Sequence, residues 1–395
     1  MMTIDRVRLH DIALPLLFPF RTSFGVTTTR ETMLVEVSGD GVTGWGELTA
    51  HDRPNFSGET LETARHLMTD FLIPTLLSGD GSGPGRWATP DDFLAATGWV
   101  RGHPMARAAL EGALLDWDAT TRAESLAHYL GGSRARVPVG VSLGIESSIE
   151  ALLERIDQFH DRGYQRIKLK VKPGWDVDVL EAVRGRYPSM PLTVDANAAY
   201  TARDMDHLRE FDRYRLTYLE QPLPHDDLVD HARLQRLLAT DICLDESIDG
   251  PAACRSALAL GSGRVVNIKL GRVGGHRAAR TIHDLCQGAG LPVWCGGMLE
   301  TGIGRAHNVA MASQANFLLP GDISASDRYW KEDLIDPPFR LEADGTLAVP
   351  TGPGIGVAVA AESFSSKLSS SGHRKRVGDA LRASPGTSGC RPMYA

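Results

Sequence analysis

Five charged residues recur through the middle of the chain at an almost constant interval. They are Lys170, Asp195, Glu220, Asp245 and Lys269, in steps of 25, 25, 25 and 24 residues. Each stands at or next to the end of a short apolar run: QRIKLKV, LTVDAN, TYLEQP, ICLDES and VVNIKL. A helix-like stretch separates each run from the next. One strand plus one helix in about 25 residues is the period of a (β/α)8 barrel, whose strands point their C-terminal ends at one mouth. The spacing therefore predicts a ring with three carboxylates in the middle and a lysine on either side.

The chain has 395 residues, more than a single core usually holds, so two domains are expected. Residues 3–50 alternate apolar and polar positions around turns such as SGDG, and residues 58–130 carry apolar positions at helical spacing. Strands and then helices, segregated along the chain, predict a small α+β domain over 1–135. The barrel is expected over 136–340, from VPVGVSLG to NFLLPGDIS, with eight strand candidates. Residues 341–361 return to turns and short strands and are expected to pack back on the first domain. Residues 362–395, rich in Ser, Gly and Arg, read as a disordered tail.

Composition excludes several function classes. Net charge is −7, and the one basic cluster, HRKR at 373–376, lies in the tail, so no nucleic-acid partner is expected. No apolar stretch approaches the roughly 18 residues that span a bilayer. The opening MMTIDRVRLHDIALP lacks the apolar core of a secretory leader, and the five cysteines form no CxxC pair. A cytoplasmic protein without structural zinc is the expectation.

Three carboxylates in one mouth repel one another unless a cation lies between them. Oxygen donors without Cys or His favour Mg²⁺, with Mn²⁺ second. Lys168 and Lys170 share one face of their strand, because side chains alternate along a strand. A buried lysine beside a second cation and a divalent metal has its pKa lowered, which suits a base. A metal, two opposed lysines and a small-molecule carboxylate make a site that removes a proton from the carbon next to that carboxylate.

These residues and their surroundings resemble the enolase superfamily, in its o-succinylbenzoate synthase / N-succinylamino acid racemase branch. The motifs are IKLKVKPGWD, VDANAAYT, LEQPL, CLDES, NIKLGRVGG and VWCGGMLETGIGRAHN, extended by PFRTSFG, GWGE, PGDISASDRYW and VPTGPGIGV. The resemblance implies a modified (β/α)8 barrel under an α+β cap. It implies Asp195, Glu220 and Asp245 as Mg²⁺ ligands, Lys170 and Lys269 as the acid/base pair, and Lys168 as a holder of the substrate carboxylate. Arg272 is similar to an arginine of racemase-competent members. Further substrate contacts are expected from Ser142, Asn197, Phe20, His51, Gly297, Met298 and Tyr329. Glu300 is expected to support a lysine or to cap the next helix. His51 and Phe56 stand where the family usually has Met and Tyr. The expected activity is dehydration to o-succinylbenzoate, in menaquinone synthesis, or racemisation of N-acyl amino acids. Dipeptide epimerisation and muconate-type cycloisomerisation are the alternatives, and a homo-oligomer is expected.

Overall fold

A computed structural model describes residues 1–22, 25–366 and 381–382. The N-terminal layer is an antiparallel meander of β1 (Arg6–Thr22), β2 (Gly25–Gly39) and β3 (Val42–Leu48). Its two faces bury different partners. Val7, Leu9, Met33, Val35 and Val37 join a core with the cap helices, whereas Ile12, Leu14 and Leu34 join the barrel core. The sheet is thus a shared wall. Helix α1 (Pro104–Thr121) lies on β3 and is buried along most of its length. Gly44 and Gly46 permit this approach, since a Cβ there would stand 2.2 Å from the Ala113 carbonyl oxygen and 2.0 Å from that of Ala109.

The second layer is a parallel sheet of seven strands in sequence order. They are β4 (Val141–Leu143), β5 (Ile167–Lys170), β6 (Leu192–Asp195), β7 (Leu219–Glu220), β8 (Ile242–Leu244), β9 (Val265–Ile268) and β10 (Val293–Cys295). Helices separate successive strands, as the 25-residue period predicts. Ile167 and Leu169 of β5 pack in the barrel core, so the alternate Lys168 and Lys170 face inward. The register sets Lys170 beside Asp195 and Asp195 beside Glu220.

The eighth expected strand is not one. Residues 317–322 close the ring through isolated parallel bridges, Phe317 to Val293 and Gly321 to Val139. Pro320 has no N–H to give a ladder, which limits regular pairing here. The VPVGVSLG run is also divided. Arg136–Pro138 pairs antiparallel with Thr346–Ala348, and only Val141–Leu143 enters the ring.

The segment after 340 ties both layers together. Its Gly354 carbonyl accepts from Leu126 N, and Ile355 N donates to Asp116 Oδ1 on α1. The expectation of disorder from 362 onward needs correction. Residues 361–366 form a 3-10 helix, with Phe364 buried against the rings of His10 and Trp45. Leu381–Arg382 pairs with β1. The rest of the expected tail, 367–380 and 383–395, lies outside the described residues. No helix among the described residues is long and apolar enough to cross a membrane.

Candidate active site

Asp195, Glu220 and Asp245 come together at the mouth because they end, or directly follow, three adjacent strands. One carboxylate oxygen from each lies within 4.8 Å of the other two, and all three residues are buried. Cations crowd around them. Lys170 Nζ donates to Asp195 Oδ2 at 2.7 Å and to Asn197 Oδ1 at 2.6 Å. Lys269 Nζ donates to Asp245 Oδ2 at 2.7 Å, and Arg272 pairs with the other oxygen of Asp245. Lys168 Nζ reaches Glu220 Oε2 at 2.7 Å, Asp195 Oδ2 at 3.3 Å and Asp322 Oδ2 at 2.6 Å.

Electrostatics divide the carboxylates. Burial and the adjacent Asp195 push Glu220 up. Burial also acts on Asp195, but Lys170 and Lys168 override it and hold the carboxyl down at about 2. Lys168 departs from the lowered pKa expected of a buried lysine. Desolvation opposes its charge, yet Asp322, Glu220 and Asp195 raise it well above its ordinary value. It is a fixed cation, unsuited to act as a base. Burial lowers Arg272 to about 9, so it too remains charged at neutral pH.

A cavity of about 400 Å³ opens at the three lysines that pair with these carboxylates, between the ring and the β1–β2 hairpin. Its walls include Lys168, Lys170, Asn197, Lys269, Ser142, Gly297, Met298 and Tyr329 from the barrel, and Phe20 and His51 from the cap. His51 is half-buried, and burial with the nearby Arg30 pushes it down to about 4, so it is neutral near pH 7. Phe24 of the PFRTSFG motif lies outside the described residues.

Two expected substrate contacts do not reach the cavity wall. Arg272 is packed behind Asp245, with its Nε donating to the Ile248 carbonyl at 2.9 Å and Nη2 to the Asn267 carbonyl at 2.5 Å. Glu300 holds neither a lysine nor the next helix. Its Oε2 accepts from Met298 N at 2.7 Å and shapes the loop after β10, while Thr301 caps the helix. Asn197 bridges Lys170 to Glu246, donating to Glu246 Oε1 at 2.9 Å.

The sequence reading missed Asp322, Arg166, Asn267 and Glu246. Two of these had a legible signal. Arg166 extends the inward alternation of Lys168 and Lys170, and Asn267 shares the inward face with Lys269. Asn267 donates to Glu220 Oε1 at 2.9 Å.

Three buried oxygen donors at this spacing, with no sulfur or nitrogen ligand among them, fit a hard divalent cation such as Mg²⁺. The fold and site define a capped (β/α) barrel carrying a candidate metal centre between lysines. Two family models cover most of the chain. "Mandelate racemase / muconate lactonizing enzyme, N-terminal domain" matches residues 4–131, and "Enolase C-terminal domain-like" matches 151–363. An o-succinylbenzoate synthase of Geobacillus kaustophilus is 49% identical over 354 residues, 89% of this chain and 92% of that protein. An N-succinylamino acid racemase of Amycolatopsis sp. is 47% identical over 358 residues, 90% and 95% of the two chains. A solved enolase-superfamily structure from Listeria innocua superposes with a TM-score of 0.90 at 39% identity, covering 97% of this chain and all of that one. The chain belongs to the enolase superfamily, in the group of o-succinylbenzoate synthases and N-succinylamino acid racemases.

Proposed function

We propose that this protein is a Mg²⁺-dependent enzyme that removes the proton α to a carboxylate, serving both as an o-succinylbenzoate synthase and as an N-succinylamino acid racemase. One observation carries the reading. Lys170 and Lys269 both line the cavity, and the three strands bearing the acidic cluster lie between theirs. A substrate seated over the cluster therefore has an amine on each side. Relatives bearing each of the two names match nearly the whole chain at similar identity, which supports carrying both activities.

Asp195, Glu220 and Asp245 would hold the Mg²⁺. When bound, it supplies positive charge that eases negative charge onto the substrate carboxylate as the proton leaves. Lys168 adds a permanent cation on the same wall. In racemisation one lysine takes the α-proton and the other returns a proton to the opposite face. In dehydration Lys170 takes the α-proton of 2-succinyl-6-hydroxy-2,4-cyclohexadiene-1-carboxylate and passes it to the hydroxyl on the same face, which departs as water as the C–O bond breaks, while Lys269 remains charged. The cap hairpin and the Gly297–Met298 loop exclude water. A role in menaquinone synthesis and a cytoplasmic homo-oligomer are part of this proposal.

The test runs two assays on one Mg²⁺-loaded preparation. The first follows o-succinylbenzoate formation. The second follows α-proton exchange of D- and L-N-succinyl amino acids in D₂O by NMR. Exchange of both enantiomers together with dehydration supports the dual reading. Silence in both assays overturns it.

A further inference from the structure

Lys168 has three carboxylate partners, and two of them are candidate metal ligands. The third, Asp322, lies outside that cluster. It sits on the irregular segment that closes the ring, anchored where its own N–H donates to the Cys295 carbonyl at 2.9 Å. Its two oxygens are divided between two cations: Oδ2 takes Lys168 Nζ at 2.6 Å, and Oδ1 takes Arg166 Nη2 at 2.5 Å. Both cations also lie over the Trp294 ring, at 4.7 Å for Lys168 and 5.1 Å for Arg166. All four groups are buried, with Lys168 only 2% exposed and Asp322 8% exposed.

The problem for such a site is competition. Lys168 Nζ already lies 2.7 Å from Glu220 Oε2 and 3.3 Å from Asp195 Oδ2. A divalent cation needs those oxygens and repels the ammonium. A lysine buried without another anion would have to remain on them, since a buried charge is retained only with a partner. Asp322 provides the alternative, and Trp294 provides a face that favours cations.

We propose that Asp322 is a positioning residue that gives Lys168 an anion to keep when a metal takes the oxygens of Asp195 and Glu220, so that the ammonium yields those oxygens and stays on the cavity wall as a substrate cation. Arg166 is the counterweight. It fills the second oxygen of Asp322, and its salt bridge goes to Asp322 and not to the acidic cluster. The inference rests on the Mg²⁺ reading above, but its test reads metal binding and not turnover.

Mg²⁺ is titrated calorimetrically into chelator-treated wild type, Asp322→Asn, Lys168→Met and two double variants, with a melting curve for each. Asp322→Asn should bind Mg²⁺ about tenfold or more weaker, because the unheld lysine competes for the ligands. Adding Lys168→Met to Asp322→Asn should restore binding. Adding Arg166→Met should not, which separates competition by Lys168 from a mere change in net charge. Lys168→Met alone should bind at least as tightly as wild type, and this holds even if Asp322→Asn fails to fold. Unchanged affinity in Asp322→Asn overturns the proposal. So does restoration by Arg166→Met, or weaker binding by Lys168→Met. If wild type itself binds no Mg²⁺, the proposed function fails first.

Discussion

Replacing Lys269 by arginine separates the two proposed chemistries. In the structure Lys269 Nζ is 2.7 Å from Asp245 Oδ2 and 5.1 Å from the centre of the Phe56 ring. A guanidinium can keep both contacts, since it pairs with carboxylates and stacks on aromatic faces. It cannot surrender a proton at neutral pH and so cannot become a base. Racemisation needs that base. Removing one typically costs about 10²- to 10⁴-fold, or about 3–5 kcal/mol of barrier. Dehydration needs only the charge, and the geometric misfit of the larger group should cost about tenfold, or about 1.4 kcal/mol.

The exchange experiment gives a sharper signature than rates alone. Lys170 remains intact in Lys269→Arg, so the enantiomer whose α-proton faces Lys170 should still exchange in D₂O. The other enantiomer should stop exchanging, and no interconversion should accumulate. Wild type measured beside it should exchange both. If both enantiomers still exchange in the variant, Lys269 is not a base. If dehydration falls as far as racemisation, the division of roles between the two lysines is wrong.

Lys170→Ala should abolish both activities, measured on the fraction that a circular-dichroism spectrum shows to be folded. Chelation should silence both activities reversibly, and Mg²⁺ should raise the melting temperature as its concentration rises, because it binds the folded state alone. Glu47→Ala should destabilise the protein by about 2–6 kcal/mol, since the backbone N–H groups of Thr301 and Gly304 lose their buried acceptor. A urea titration showing less than about 1 kcal/mol would refute that role. His307, which pairs with His276 and donates to the Trp45 carbonyl across the two layers, is pushed down to about 4 by burial. The unfolded chain takes up its proton near pH 6.5, so stability is full above that pH and falls as pH drops toward 4, by up to about 3 kcal/mol. His307→Gln should flatten that part of the stability–pH curve. A slope unchanged by the substitution would place the acid sensitivity elsewhere.

The chemical centre was legible because it is periodic. Strand ends at 25-residue spacing must meet in a parallel ring, so Lys170, Asp195, Glu220, Asp245 and Lys269 could be placed together without any long-range information. The eighth strand misled because an apolar run such as NFLLP resembles a strand until its proline is asked to donate. Arg272 is expected at the substrate because distance along the chain does not show which way a guanidinium turns. It turns inward behind Asp245, where Asn267 and Ile248 offer carbonyls. Phe364 was assigned to the tail because a single aromatic among polar residues carries no period, and its partners His10 and Trp45 are more than 300 residues away.

What periodicity cannot show is how the two layers grip each other, and here the structure has a consistent answer. Carboxylates on one layer accept from backbone N–H groups on the other. Glu47 of the cap takes Thr301 and Gly304 at the start of a barrel helix, and Glu111 takes Arg277 N at the start of another. Each satisfies donors that a helix start leaves unpaired. The Glu47 contact has a functional consequence. Thr301 directly follows the Gly297–Glu300 loop, whose Gly297, Met298 and Leu299 line the cavity. The cap therefore fixes a wall of the site as well as covering it. A change in cap orientation would move Met298 without touching the acidic cluster or either lysine. The shape of the cavity can then change while the acidic cluster and both lysines stay in place.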